Sequence, residues 1–151
     1  MLILFVMVMS VITDFVIMVG GTSYMFIIGP DVIKAVIYEE IDKTALGGAD
    51  VHSTRLGVVH FNVASEDAAI VCVHDLLLFL PLNNLEEPSF RATQDPFYRE
   101  VPELIDFILI DPAQLYNMKD LIDRVVDDGF FFEVHEYWVC NIVVGFARFA
   151  G

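Results

Sequence analysis

Two glycine-containing turns and the histidine that follows the second are the residues in this sequence that could do chemistry. The eight candidates are Gly20, Gly21, Thr22 and Ser23 in the first turn, Gly47, Gly48 and Ala49 in the second, and His52. Glycine lets the backbone approach a ligand closely, and a turn that opens a helix directs backbone N–H groups towards it. Such donors suit a phosphate, a thioester oxygen or an enolate. The alternatives are plain connections for the two turns and a buried structural role for His52.

The other histidines, the cysteines and the serines form no recognisable reactive motif. Four histidines and scattered serines lack the arrangement of a nucleophile beside its base. Cys72 and Cys140 lack the CxxC or histidine-rich spacing of a zinc site, so no metal is expected. We expect both cysteines to be buried free thiols in a reducing compartment.

The composition indicates a folded, acidic domain. The chain has 151 residues, a length that is enough for one domain with a core. Of these residues 56% are hydrophobic and 20% charged, which is not the composition of a disordered segment. The net charge is −14, and the eight Lys and Arg residues are scattered. Because phosphate contacts need clustered basic residues, a nucleic acid partner is not expected. The acidic pairs, such as Glu39-Glu40, are predicted to form a solvated surface.

The N-terminal residues 1–19 are almost continuously apolar, a pattern that signal peptides and membrane helices share. No Lys or Arg precedes Lys34, and Asp14 within the run would be costly in lipid. We therefore expect no membrane partner. The run is interpreted as a buried helix that turns into a strand.

A set of short strands and helices must position the candidate residues. Periodicity predicts strands near 15–19, 24–28, 57–63, 130–134 and 141–149, helices near 31–39, 66–79 and 118–127, and a short helix carrying His52. Pro30, Ser65 and Asn117 are typical of helix starts, and Gly129 is a typical stop. The proline-containing stretch 82–103 has little periodicity, so we expect an extended connector that crosses a surface or a subunit boundary.

Two of these helices are expected to bury one apolar side each. For 66–79, the helical spacing predicts that the buried residues are Ile70, Val73, Leu76, Leu77 and Leu80. For 118–127, it predicts that they are Met118, Leu121, Ile122, Val125 and Val126.

The glycine turns belong to a longer series of motifs. The series consists of the segments 20–34, 46–52, 57–60, 79–84, 116–120, 131–134 and 141–148. In this order the segments resemble the carboxyltransferase (β) subunits of biotin-dependent acyl-CoA carboxylases, propionyl-CoA carboxylases above all. The resemblance implies an α/β fold, the crotonase-like (ClpP/crotonase) spiral of ββα units. It also implies that 1–129 are the later part of the N-terminal acyl-CoA-binding domain and that 130–151 are the first strands of the C-terminal domain.

The same resemblance implies an activity. Such subunits transfer a carboxyl group from carboxybiotin to the α-carbon of propionyl-CoA or a similar acyl-CoA. Backbone N–H groups stabilise the developing oxyanions, and biotin itself is thought to be the base, so no catalytic side chain is assigned. The eight candidates become substrate-binding residues, with Gly47 and Gly48 near the thioester. Leu4 and Phe5 stand where the family has the glycine pair of its first oxyanion hole.

The partners also follow from the resemblance. Biotin would be carried by a biotin-bearing α subunit or domain, acyl-CoA would be the substrate, and other β subunits would complete a hexamer in an α6β6 particle. The location would be the bacterial cytoplasm or the mitochondrial matrix. Because a complete subunit of this family has both halves of the spiral, this chain alone is expected to be inactive.

Two alternatives to a carboxylase remain open. One is a related biotin-dependent acyl-CoA decarboxylase or transcarboxylase subunit, which shares the motifs. The other is a non-catalytic CoA-binding or assembly domain of the same fold, which Leu4 and Phe5 favour. If Gly48 lies near the acyl-CoA, its replacement by valine should impair catalysis without unfolding. A glycine kept only for a left-handed turn should instead affect stability alone.

Overall fold

The computed structural model describes residues 13–88, 90–96, 98–107 and 116–151. This part of the chain is a mixed α/β structure with two small sheets. It divides into two compact units. The first contains the described residues up to His74 together with His135–Ile142, and the second contains those of Asp75–Val134 together with Val143–Gly151.

A two-stranded parallel sheet forms the centre of the first unit. Strands β1 (Ile17–Val19) and β2 (Phe61–Val63) pair with Ile17 opposite Phe61 and Val19 opposite Val63. Between them in sequence lie the helices α1 (Pro30–Ile37), α2 (Lys43–Gly47) and α3 (Ala49–Thr54). Met18, Ala49 and Val59 form the buried cluster, so β1, α3 and the segment before β2 pack together. Helix α4 (Glu66–Phe79) then carries the chain into the second unit.

The second unit is built around an aromatic cluster. Its helices are α5 (Glu103–Phe107) and α6 (Met118–Val125), followed by a 3-10 turn (Asp127–Gly129). Strands β3 (Phe132–Val134) and β4 (Val144–Phe146) pair in antiparallel fashion, with Phe132 opposite Phe146. The ring of Phe79 stacks on those of Phe130, Phe132 and Phe146 at centroid distances of 6.0, 5.9 and 5.6 Å. Stacked rings at these distances stabilise the packing beyond their buried area.

The predicted helix starts are confirmed. Pro30 is the first residue of α1. The Ser65 hydroxyl accepts the N–H of Ala68 at 3.1 Å, and the Asn117 carboxamide oxygen accepts the N–H of Lys119 at 3.1 Å. These bonds satisfy N–H groups that the first turn of a helix leaves without a partner.

One predicted strand is wrong. Residues 24–28 form no strand, and only Tyr24 makes a single β-bridge, to Gly48. The chain bends at Ile27 and Ile28, which remain about half exposed, and enters α1 at Pro30. The apolar run therefore lacks a neighbouring strand over most of its length. The other predicted strands are present but shorter. In the predicted connector 82–103, the described residues up to 102 form neither helix nor strand, and Glu103 begins α5.

The predicted buried sides are only partly correct. On α4, Leu76 is buried, but Ile70, Val73 and Leu77 are exposed, and Cys72 takes the second buried position. On α6, Met118 and Val125 are exposed, whereas Val126 just beyond the helix is buried. The two helices therefore meet the rest of the chain through a narrower stripe than their apolar content suggests.

The cysteines are also only partly as predicted. Both are free thiols, and Cys72 is buried, but Cys140 is exposed. Cys140 lies in the turn-rich segment between β3 and β4. The prediction that both thiols are buried is therefore wrong for Cys140.

The N-terminal interpretation is tested only in part. β1 falls inside the predicted strand 15–19, whereas the predicted helix before it, and Leu4 and Phe5, lie outside the described residues. None of the described helices is long and apolar enough to cross a membrane.

Candidate functional site

The first glycine turn closes the end of β1. The N–H of Gly20 donates to the Val63 carbonyl at 2.8 Å, and the N–H of Ser23 donates to the Val19 carbonyl at 3.0 Å. The Ser23 hydroxyl in turn accepts the N–H of Val19 at 3.0 Å. Gly21 has a φ of +76°, a left-handed conformation that glycine adopts without strain. The N–H groups of Gly20, Thr22 and Ser23 are thus bonded inside the chain, contrary to the expectation that they point at a ligand.

Tyr24 and Met25 join the first turn to the second. The Tyr24 hydroxyl donates to the Gly21 carbonyl at 2.7 Å, and the Tyr24 backbone bridges to Gly48. The N–H of Met25 donates to the carbonyl of Gly47 at 2.8 Å. The two turns, which are separated in the sequence, are therefore neighbours in the first unit.

The second turn, between α2 and α3, leaves no room for a side chain at either of its glycines. A Cβ on Gly47 would overlap the Met25 carbonyl oxygen, and one on Gly48 would lie 2.7 Å from the Thr44 carbonyl oxygen. Neither glycine has a positive φ, and that of Gly48 is −73°. The N–H of Gly48 donates to the Thr44 carbonyl at 2.9 Å. Glycine is therefore required at position 48 because the packing is close. Gly48 has neither a left-handed conformation nor a free N–H that would explain it.

These contacts correct the expectation for Gly48→Val. A valine side chain would collide with the backbone of Thr44 inside α2. The substitution is therefore expected to disturb the turn itself, so a loss of activity would not by itself identify a ligand contact.

His52 lies under the second turn, on α3. Its side chain is buried, with only 3% of the residue exposed, and Nε2 lies 2.5 Å from the carbonyl oxygen of Met25. The N–H of His52 donates to the Gly48 carbonyl at 3.3 Å, and its own carbonyl accepts the N–H of Val58 at 3.0 Å. Because a carbonyl oxygen can only accept, Nε2 is the donor. Nδ1 is buried and has no hydrogen-bond partner within the described part of the chain.

A polar cluster beside α3 carries no motif that the sequence could reveal. The Asn62 amide of β2 donates to the Asp50 carboxylate at 2.7 Å and to the Ser53 hydroxyl at 3.2 Å. Ser53 is 2% exposed and also donates to the Asp50 carbonyl at 3.2 Å. These bonds tie α3 to β2 and so fix the position of His52 and of the turn above it.

His60 and His135 form a pair of rings in the first unit. His60 Nδ1 accepts the N–H of Val16 at 3.1 Å, and the His60 carbonyl accepts the N–H of His135 at 3.0 Å. The ring centroids are 4.3 Å apart. Burial lowers the pKa of His60 below its ordinary value of 6.5, and the charge of His135 lowers it further. His135 was not among the candidates, because no motif connects two histidines so distant in sequence.

The second unit contains a cavity of about 350 Å³. Its lining includes Asp95, Arg99, Leu104, Val125, Asp127 and Phe149. Arg99 pairs with Asp95 and donates to three carbonyls at the end of α6, and Asp127 accepts the N–H groups of Ala150 and Gly151. The charged side chains that line the cavity are thus already bonded to other groups of the chain. None of the eight candidates lines this cavity.

Metal ligation finds no support among the residues that the structure describes. No group of three or more His, Cys, Asp or Glu side chains there is arranged to hold an ion. His60 Nδ1 already accepts the N–H of Val16, so this ring nitrogen is occupied within the chain.

Comparison with protein families gives a match over most of the chain. The model of the carboxyl transferase domain matches residues 8–151. Propionyl-CoA carboxylase beta chain, mitochondrial, from Rattus norvegicus is 41% identical over 140 residues, which are 93% of this chain and 26% of that protein. The carboxyltransferase subunit of propionyl-CoA carboxylase from Haloferax mediterranei is 43% identical over 140 residues. Methylmalonyl-CoA decarboxylase subunit alpha from Veillonella parvula is 44% identical over 141 residues.

Solved structures give the same picture. A crystal structure of transcarboxylase 12S with hydrolysed methylmalonyl-CoA bound matches with a TM-score of 0.83 and 40% identity, over 90% of this chain and 27% of that one. A second 12S structure, with methylmalonyl-CoA and methylmalonic acid bound, matches with a TM-score of 0.84 at the same identity. The chain spans about a quarter of the length of the curated relatives it matches.

Proposed function

This chain belongs to the carboxyl transferase domain family, and on that premise we propose that it is the later part of the acyl-CoA-binding half of a carboxyltransferase subunit. The subunit would transfer a carboxyl group from carboxybiotin to the α-carbon of propionyl-CoA or a similar acyl-CoA. The biotin would be carried by a biotin-bearing α subunit or domain. The fold of the complete half would be the crotonase-like spiral, of which the two small sheets are parts.

One observation carries this proposal. Transcarboxylase 12S, which matches 90% of the chain at 40% identity and a TM-score of 0.83, holds hydrolysed methylmalonyl-CoA in its structure. Identity at this level over nearly the whole chain supports a ligand of the same class, an acyl thioester of coenzyme A. The propionyl-CoA carboxylase chains at 41–43% identity support a carboxylase as one of the related activities.

We place the acyl-CoA beside the two glycine turns. The eight candidates form two layers there, since Gly21 and Thr22 are exposed whereas Gly47, Gly48, Ala49 and His52 are buried. The first turn, Gly20–Ser23, would touch the ligand, and the second turn and His52 would support it from beneath. Because several backbone donors of the turns are already bonded within the chain, the oxyanion donors would come in part from elsewhere in the subunit.

A decarboxylase is the second candidate. The decarboxylase subunit from Veillonella parvula is 44% identical over 141 residues, as similar as the carboxylase chains. Both activities need a stabilised enolate of the acyl-CoA, and they differ in whether the carboxyl group arrives or leaves.

Binding to the 151-residue chain tests the acyl-CoA proposal. Titration calorimetry with propionyl-CoA and methylmalonyl-CoA should show binding that is tighter than binding of free coenzyme A. The acyl group supplies the difference, because burial of each methylene stabilises by about 0.8 kcal/mol. Equal affinities for the acyl-CoA esters and free coenzyme A would count against an acyl site in this chain.

The direction of the reaction is decided on the complete subunit with its biotin-bearing partner. The carboxylase proposal expects propionyl-CoA-dependent consumption of carboxybiotin. The decarboxylase candidate expects release of carboxyl from methylmalonyl-CoA and no net carboxylation. The chain alone is expected to do neither.

A further inference from the structure

We propose that His52 is a positioning residue that holds the segment Tyr24–Phe26 against the Gly47–Gly48 turn through the carbonyl group of Met25. The inference rests on the proposed function only in that this turn supports the acyl-CoA site. The hydrogen bond and its effect on the segment stand on the geometry of the first unit alone.

A single oxygen atom connects three parts of the candidate site. The Met25 carbonyl oxygen accepts from His52 Nε2 at 2.5 Å, and it lies so close to Gly47 that a Cβ there would overlap it. The N–H of Met25 donates to the Gly47 carbonyl at 2.8 Å. The Met25 residue is thus fixed on one side by the turn and on the other by the ring of α3.

The ring of His52 serves this bond and not packing alone. Its Nδ1 is buried without a hydrogen-bond partner in the described chain, which is an unfavourable arrangement for a polar atom. A leucine of similar volume would fill the space without leaving such an atom. The favourable feature that histidine adds here is the donor on Nε2.

The backbone of His52 is held independently of its ring. Its N–H donates to the Gly48 carbonyl at 3.3 Å, and its carbonyl accepts the N–H of Val58 at 3.0 Å. Loss of the Nε2 donor should therefore leave α3 in place and release the Met25 carbonyl group. The structure predicts a local effect on the segment, and not a general loss of the fold.

Two variants of the 151-residue chain separate the donor from the bulk of the ring. His52→Leu removes the donor, and His52→Gln keeps an N–H that can reach the same oxygen. We expect His52→Leu to speed hydrogen exchange of the Met25 amide and to weaken propionyl-CoA binding, each by about tenfold, the scale of one lost hydrogen bond. His52→Gln should restore both to within about threefold of the original. His74→Leu, at an exposed histidine on α4, is the matched control and should change neither.

The outcomes distinguish this inference from the proposed function. Unchanged Met25 exchange in His52→Leu, or no recovery in His52→Gln, would overturn the positioning role whatever the chain binds. Faster Met25 exchange in His52→Leu, recovered in His52→Gln, supports the role. If the variants show this pattern of Met25 exchange but the original chain binds no propionyl-CoA, the proposed function fails and the positioning role of His52 is upheld.

Discussion

At the second turn, glycine is required by the space that neighbouring atoms leave. Gly48→Ala would place a Cβ 2.7 Å from the Thr44 carbonyl oxygen, which is backbone and cannot move aside cheaply. We expect the free energy of unfolding to fall by about 1–3 kcal/mol, the range for overpacked sites. Urea denaturation of the chain measures this value.

Gly20→Ala is the matched control for that substitution. Its Cβ would meet no atom closer than 3.7 Å, and Gly20 does not have a positive φ. The free energy of unfolding should therefore change by less than about 0.5 kcal/mol. A stability of Gly48→Ala equal to that of Gly20→Ala would show that α2 adjusts and that the turn is not tightly packed.

The pair of rings formed by His60 and His135 predicts a dependence of stability on pH. Burial and then the charge of His135 lower the pKa of His60 in the folded protein below 6.5. Between these two values the unfolded chain binds more protons, so stability decreases as the pH falls from 6.5 through the lowered pKa. Protonation of His60 would also remove the acceptor for the Val16 N–H.

Urea denaturation over a pH series checks this dependence. His60→Asn keeps an acceptor near the position of Nδ1 but does not titrate, so it should remove the part of the slope that lies below about pH 6.5. A slope that is equal in the original chain and in His60→Asn would show that other groups cause it.

The residues of the candidate site could be identified from the sequence, but the atoms that organise them could not. Glycine pairs and a nearby histidine are visible as residue types at a close spacing. The Met25 carbonyl, which connects Gly47 to His52, has no signature because any residue supplies a carbonyl. His135 has none either, because its role arises only when the fold brings it to His60.

Among the elements, helix ends are predictable because their signals are local. The side chains of Ser65 and Asn117 bond to N–H groups two or three residues further on, so a few letters of sequence determine the outcome. The strand predicted at 24–28 lacks such a local cause. A strand needs a partner, and only Tyr24 meets one. The buried side of α4 likewise depends on what packs against it, which leaves Ile70 exposed.

Helix α2 depends on its capping residue, since it has only five residues. The Asp42 carboxylate accepts the N–H of Thr44 at 2.9 Å, and this backbone hydrogen bond is the main reason that the pKa of Asp42 is lowered from 3.8. Because the folded-state pKa is depressed, the stabilisation is present above pH 3.8 and is lost as the pH falls through the lowered value. Asp42→Ala should therefore loosen the helix that presents Gly47.

Hydrogen exchange measures the capping effect directly. The amides of Leu46 and Gly48, which donate to the carbonyls of Asp42 and Thr44, should exchange faster in Asp42→Ala. Asp42→Asn keeps the acceptor without the charge and should show protection between that of Asp42→Ala and the original chain. Unchanged protection in Asp42→Ala would mean that packing of α2 and not the cap maintains the helix.

At the scale of the whole molecule, helix α1 exposes apolar side chains that nothing in the described part of the chain covers. On α1 no residue is buried, and Val36 and Ile37 are 71% and 65% exposed. Exposed apolar surface of this kind marks a contact with other protein. The chain spans about a quarter of the length of its curated relatives, and both 12S structures are of a hexamer assembly. Light scattering of the complete subunit tests this: an assembly is expected if another protein surface covers α1, and a stable monomer would contradict such a cover.

The exposed side of α1 also predicts how the 151-residue chain behaves alone. Val32 and Val36, one helical turn apart, are 51% and 71% exposed, so copies should associate through this helix as the concentration rises. Val32→Lys with Val36→Lys places two charges in that contact and should shift the sedimentation coefficient to that of a monomer. Asn84→Lys with Gln94→Lys adds the same charge at exposed polar positions, and because the net charge of −14 is reduced equally, this control should associate as the original does. Equal sedimentation of the two double variants would show that charge and not the α1 surface governs association.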